Sequence, residues 1–277
     1  MVAYLAFTSV IAVARMGAQP ATRWVLLANV LTGCLILLAS RPRVHPAIRD
    51  AYPIILLAAF YSALDILNSF GAVAVHDRTV QRWETHLFGA QLSRVWWQRY
   101  PSPFWSTVLH GAYFGYYLIL LIPVVGLLLL RRYDAARRAV LWLMTTLLLC
   151  FAFFLLFPVA GPYYEFPRPS AAFLANPAAQ LVYSTLANGS AYGAAFPSSH
   201  VAATLVATVA AFRGSRVLGW ILILPAALLT VGVVYCQMHY AVDALAGLAV
   251  GAIVAGAGSW LESHGGRAAA HRNSTPA

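Results

Sequence analysis

Apolar residues gather along this chain in long runs, and polar residues collect between them. The runs occupy about 1–19, 24–40, 51–67, 106–130, 139–160, 198–213, 217–234 and 240–260. A helix rises about 1.5 Å per residue, so a run near 18 residues suffices to cross a ~30 Å hydrocarbon layer. The pattern predicts eight such helices, with six or seven as alternatives. The first run is broken by Arg15, and the second and third are short for the layer, which a bilayer accommodates by local thinning. Between 68 and 105 the pattern changes. His76, Asp77, Arg78, Arg82, Glu84, Arg94 and Arg99 alternate there with Trp83, Trp96, Trp97 and Trp105, which predicts helices lying in the membrane interface. The tail from 263 is small and polar and reads as disordered. No repeat of fixed period stands out. Four parts follow: N-terminal membrane helices over 1–67, the interfacial segment 68–105, a helical membrane core over 106–262, and the tail 263–277.

Composition supports this reading. Hydrophobic residues make up 61% of the 277 positions and charged ones 9%, against roughly 25% charged in a soluble domain. The expected class is an all-α, polytopic membrane bundle of six to eight transmembrane helices. The net charge is +10, and every cation is arginine. A basic chain raises the question of nucleic acid, but these arginines lie between apolar runs. Arg41, Arg43 and Arg49, the four of "RRYDAARR" at 131–138, Arg213 and Arg216, and Arg267 and Arg272 all fall on one side when the spans alternate. The positive-inside rule makes that side cytoplasmic, so no nucleic-acid partner is expected. The all-arginine cation set is that of a GC-rich bacterial genome, hence an expected place in the plasma (inner) membrane. Cys34, Cys150 and Cys236 form no CxxC pair and read as small buried hydrophobes. The first residues lack the basic start of a signal peptide and read as a membrane segment.

Two fragments carry chemistry, and both fall on the non-cytoplasmic side. In "HYAVD" at 239–243, His239 and Asp243 are spaced i, i+4 and share one helix face. A carboxylate inside an apolar span costs about 2.5–3.5 kcal/mol on insertion scales, so Asp243 needs a partner. A carboxylate on one imidazole nitrogen fixes the tautomer and leaves the other nitrogen a better nucleophile or base. Gly247, one turn further, permits close approach of another helix or a substrate. A structural His–Asp pair is the plainer alternative. In "PSSH" at 197–200, serines open an apolar helix. Capping alone explains Ser198 and Ser199 but leaves His200 unexplained. A helix start is also an anion site, because its free N–H groups and positive dipole end favour negative charge. By helix counting His200 and His239 reach the same membrane face.

These residues resemble the type 2 phosphatidic acid phosphatase superfamily. "PSSH" is similar to its second motif, Pro-Ser-Gly-His; "HYAVD" to the His-x3-Asp end of its third; "RP" at 168–169 to the end of its first. "WETHLFGAQLS" at 83–93 and "FPVAGPYYEF" at 157–166 are similar to the branch containing inositol phosphorylceramide synthases. The resemblance implies the superfamily's all-helical, haloperoxidase-like catalytic core and no metal or other cofactor. It implies that His239 attacks phosphorus, Asp243 orients it, and His200 protonates the leaving oxygen. Ser198, the amide of Ser199 and Arg168 then bind phosphate oxygens. Implied partners are a lipid phosphate, the membrane lipids and, for transfer rather than hydrolysis, an alcohol or inositol-type acceptor.

The sequence departs from the pattern at four positions. Gly161 stands where the first motif has lysine, Gly232 and Val233 where the third has Ser-Arg, and Ser199 where the second has glycine. Arg78, Arg82, Arg94 or Arg99 are candidates to replace the missing cations. Two other functions are weighed. His200, His239 and Asp243 number three, as a catalytic zinc requires. Intramembrane acids and histidines also suit a transporter or channel, though no inverted repeat appears.

Overall fold

The computed structural model describes residues 1–69 and 73–273. Every apolar run is helical. In chain order the helices are α1 (Val2–Met16), α2 (Pro20–Ala39), α3 (Pro46–Ser69), α4 (Asp77–Phe88), α5 (Leu92–Arg99), α6 (Pro103–Phe114), α7 (Tyr116–Leu129), α8 (Tyr133–Leu156), α9 (Pro162–Glu165), α10 (Ala171–Leu174), α11 (Pro177–Gly189), α12 (Ser199–Gly214), α13 (Arg216–Tyr235) and α14 (Ala241–Asn273). Extended pairing among the described residues is confined to a single bridge, Val159 with Ala194.

Five helices among the described residues are long and apolar enough to cross a membrane, and a bent pair makes a sixth. That pair corrects the expected single span over 106–130. α6 and α7 meet at 46°, and the break falls at Gly115, where the absent side chain lets the backbone turn. α1, at 15 residues, is short for a span. The tail expected to lack structure continues α14 as far as Asn273; residues 274–277 and the side chains of Arg267 and Arg272 lie outside those described.

α12 forms the centre of the bundle, packed against α7, α8, α13 and α14. A helix enclosed on all sides needs small residues for close approach, and α12 buries Ala202, Ala203, Ala207, Ala210 and Ala211. α3 packs along α8, and α1 and α2 lie outside it. Polar ties gather the arginine-rich turns at one end of the bundle. Arg137 pairs with Asp50 at 2.7 Å, Arg213 and Arg138 with Glu262 at 2.7 and 3.3 Å, and the Arg132 guanidinium donates to the Gly214 carbonyl. The opposite end of α12 carries His200.

Arg15, which interrupts the first run, has a structural task. Its guanidinium donates to the carbonyls of Leu67 and Leu155 and to the side chain of Asn68, so it closes the C-terminal ends of α3 and α8. Asn68 in turn donates to the carbonyls of Phe154 and Tyr192. Helix ends leave carbonyls without partners, and a buried acceptor stranded in this way costs about 1–3 kcal/mol. Arg15→Met should therefore lower the melting temperature of the purified protein clearly, whereas Arg23→Met, at an exposed position on α2, should leave it almost unchanged.

Candidate active site

The two fragments meet where α12 and α14 begin. Ser198 is the N-cap of α12: its hydroxyl accepts from the amide of Val201 at 3.4 Å, and its own amide donates to the Asp243 carbonyl at 2.9 Å. Gly247 permits this approach, because a Cβ there would lie 2.5 Å from the Ser198 carbonyl oxygen. Ser198 and Ser199 are buried.

His239 sits in the turn from α13 to α14. Gln237 adopts φ 62°, so the chain reverses and the amides of both Met238 and His239 reach back to the Val233 carbonyl, at 3.0 and 2.8 Å. The Gln237 side chain locks the turn from outside. It accepts from the indole of Trp97 at 3.0 Å and donates to the Pro167 carbonyl at 2.9 Å. Asp243 is the third residue of α14, and its Oδ2 accepts from the amide of Tyr240 at 2.9 Å, the acidic half of a capping box. The same Oδ2 lies 3.4 Å from Nδ1 of His239. That spacing is within ion-pair reach, although the two atoms lack hydrogen-bond alignment. Asp243 thus faces His239, as the sequence predicts, and also caps α14, which the sequence reading does not include.

His200 and His239 converge. Their ring centroids are 5.6 Å apart with planes at 60°. Two tyrosines hold the His200 ring: Tyr113 stacks on it at 4.7 Å and Tyr116 approaches at 4.3 Å. They lie on either side of the Gly115 bend, which is how one helix pair presents both to one imidazole. His200, with Ser199 and the same two tyrosines, forms part of the wall of a largely apolar cavity of about 370 Å³. Its lining also includes Ile54 and Ala58 of α3, Tyr117 and Leu121 of α7, Phe151 of α8 and Val182 of α11.

Arg168 is not drawn into this cluster. It is exposed, its guanidinium lies over the rings of Tyr163 and Tyr183 at 5.7 and 5.6 Å, and it donates to the Tyr163 hydroxyl at 3.4 Å. Its loop is nevertheless tethered to the His239 turn through Pro167 and Gln237. Of the candidate replacement cations, Arg94 lies over Phe166 at 5.8 Å. Arg78 and Arg82 line an open cleft on the outer side of α4.

Three of the four departures from the motif pattern, at 161, 232 and 233, have a common physical reason. Gly161 has φ 93°, and a Cβ there would lie 2.9 Å from that of Ala195, so lysine has no room in this backbone. A Cβ at Gly232 would meet the Leu109 carbonyl oxygen at 2.9 Å, and Val233 is fully buried. An arginine at 233 would point its charge into the core.

Sequence reasoning missed the residues that frame the site. Asp77 accepts from the amides of Ala160 and Gly161, both at 2.8 Å, and from the Tyr240 hydroxyl at 3.0 Å. Glu84 accepts from the amides of Leu92 at 2.8 Å and Ala241 at 2.7 Å. Their spacing of seven, two helical turns on one face, was the available signal. Among the described residues no group of three His, Cys, Asp or Glu side chains is placed to hold a metal ion, so the zinc reading lacks a donor set. A family model described as the PAP2 superfamily matches residues 78–257. No curated protein and no solved structure matches the chain.

Proposed function

The chain belongs to the PAP2 superfamily, and from that premise we propose that it is a membrane phosphatase or phosphotransferase acting on a lipid phosphate through a phosphohistidine. The observation that carries the proposal is the convergence of two histidines from separate helices, 5.6 Å between ring centroids, with a buried carboxylate behind one of them. In the first step Nε2 of His239 attacks phosphorus while the bond to the lipid oxygen breaks, and His200 gives that oxygen its proton. In the second, water or an alcohol attacks the phosphohistidine. His200 now takes the proton, as microscopic reversibility requires, and the N–P bond breaks. Asp243 holds the tautomer of His239. Ser198 and the amide of Ser199 at the start of α12 bind the phosphate oxygens, and Arg168 joins them when its guanidinium leaves the rings of Tyr163 and Tyr183. The end of the bundle where the histidines lie carries fewer arginines than the opposite end, whose short turns hold most of them, and so faces the non-cytoplasmic side of a plasma membrane under the positive-inside rule.

The cavity beside His200 supports a lipid as the phosphate carrier. α3 and α7 each pack on α8, and the cavity lies between them with Ser199 and His200 at its wall. Exposed Tyr117 and Leu121 mark its outer edge. A hydrocarbon chain entering from the bilayer would meet apolar walls up to the reacting phosphate. Each buried methylene contributes about 0.8 kcal/mol, or roughly fourfold in binding. The kcat/KM of alkyl phosphates should therefore climb with chain length and level off when the cavity fills. Ala58→Trp should flatten that climb at least tenfold between short and long chains. An unchanged chain-length series in the variant would remove the cavity from the reading. The reaction type is decided by incubating purified protein with a lipid phosphate, with and without an alcohol or inositol acceptor. Free phosphate marks hydrolysis, and a new phosphate monoester of the acceptor marks transfer; transfer of the inositol phosphorylceramide synthase kind, which makes a new phosphodiester, is assayed with a phosphodiester lipid as donor, whose diacylglycerol leaves as the headgroup phosphate passes to His239.

A further inference from the structure

We propose that Asp77 and Glu84 of α4 are positioning residues for His239, setting the direction of its side chain through the main chain on either side of it; this role rests on the phosphohistidine reading. The two carboxylates, with Val80 between them, form the buried face of α4. Neither takes part in any ion pair among the described residues. A buried carboxylate without a counter-ion is costly unless its oxygens are filled, and here amides and one hydroxyl fill them. Oδ1 of Asp77 accepts from the Gly161 amide and the Tyr240 hydroxyl, and Oδ2 from the Ala160 amide. Oε1 of Glu84 accepts from the Leu92 amide and Oε2 from the Ala241 amide.

The recipients lie at the reacting turn. Four consecutive amides are engaged: those of Met238 and His239 by the Val233 carbonyl, that of Tyr240 by Asp243, and that of Ala241 by Glu84. The Tyr240 side chain is held by Asp77 and by Gln81, whose amide donates to the same hydroxyl at 2.8 Å. The backbone that carries the His239 Cβ is therefore fixed on both sides, and α4 supplies the fixed points on the far side. A simple cap for α14 needs one short polar side chain. Two carboxylates two turns apart, joined to the loop at 160–161 and the turn at 240–241, make a brace between the helix starts that frame the site. A displacement near 1 Å at a reacting group is worth about 100-fold in rate.

Glu84 also gives the brace a pH signature. Burial lifts its carboxyl to about 7; the charge of Asp243 adds to the lift, and the amides of Ala241, Val242 and Ser93 oppose it. Asp243 comes from α14, and α5 contributes only main-chain donors. Below that pH a protonated Glu84 no longer accepts fully at both oxygens.

The test compares the full-length protein with Glu84→Gln, Glu84→Asp and Tyr240→Phe in lipid nanodiscs, using a long-chain alkyl phosphate over pH 5 to 9. Glu84→Gln keeps one acceptor oxygen and loses the other. Its kcat should fall about 10- to 100-fold with KM changed less than threefold. Its alkali-quenched phosphoenzyme should form correspondingly more slowly, and the acid limb of kcat near pH 7 should disappear. Glu84→Asp should recover part of the rate and keep an acid limb. Tyr240→Phe, which keeps the ring and removes one tie to Asp77, should lower kcat in the same direction where Glu84→Gln yields too little folded protein. A Glu84→Gln protein with wild-type kcat per folded molecule, or with the acid limb unmoved, overturns the proposal. His239→Ala run alongside separates the two layers. Its loss of activity beside an unaffected Glu84→Gln removes the brace alone, and its retention of activity removes the phosphohistidine reading beneath it.

Discussion

His239→Ala should abolish turnover of lipid phosphates, by on the order of 10⁴-fold in kcat, with no phosphoenzyme left to trap. Losses of this size are typical when a nucleophile acting within a unit is removed. The expectation follows from the geometry of the pair. Nδ1 of His239 faces Asp243, which leaves Nε2 as the attacking nitrogen, and the second imidazole stands 5.6 Å away between ring centroids. His200→Ala should behave differently in one telling respect. A general acid contributes about 10²- to 10⁴-fold when the leaving oxygen is a poor leaving group, and much less when that oxygen departs readily as an anion. The His200→Ala defect should therefore be large with an alkyl phosphate and small with p-nitrophenyl phosphate, whereas the His239→Ala defect should be equal for both. A His239→Ala protein that still turns over lipid phosphate, or a His200→Ala protein equally crippled toward both substrates, contradicts the assigned division of labour. Steady-state rates with the two substrates, backed by ³²P labelling quenched in alkali, give the answer.

The membrane helices were legible because apolar runs of that length admit few structures other than helices. The His239–Asp243 pair was legible because an acid inside such a run is too costly to be idle. What escaped was governed by local backbone geometry or by contacts between distant segments. α11 lies outside every apolar run, though Asn176 accepts from the Ala179 amide as its N-cap and Pro177 opens it. The Gly115 bend could not be read because glycine within a long apolar run also occurs in straight helices. Asp77 and Glu84 read from sequence as interfacial charges, since their partners include main-chain amides some 80 and 160 residues away along the chain, and amides leave no mark in a sequence. From sequence alone, Gly161 is only a departure from the motif's lysine. The left-handed backbone there and the nearness of Ala195 make it a requirement of the fold.

Gly247→Ala should be strongly disruptive although it adds a single methyl group. A Cβ at 247 would lie 2.5 Å from the Ser198 carbonyl oxygen and 3.2 Å from the Val201 Cβ, and the first of these is backbone that no rotamer change can move aside. Gly251, one turn on, faces the Ala202 carbonyl at 2.8 Å in the same way. Gly247 and Gly251 are thus the small-residue stripe by which α14 lies against α12. Forcing a methyl group into such a contact costs about 1–3 kcal/mol or more. Here the strain falls on the residue that caps α12 and whose amide binds the Asp243 carbonyl. The two helix starts would separate, carrying His200 and His239 with them, so activity should fall by about 100-fold or more even in the fraction that remains folded. Gly256, on the same helix, supplies the contrast. Nothing lies within 4 Å of a Cβ placed there, and alanine is the better helix former by about 0.5–1 kcal/mol. Gly256→Ala should therefore leave activity intact and raise the melting temperature slightly. Measuring both variants for melting temperature and for turnover per folded molecule tests the contact itself. Should Gly247→Ala match Gly256→Ala in both, the close approach of α14 to Ser198 is not what holds the two histidines together.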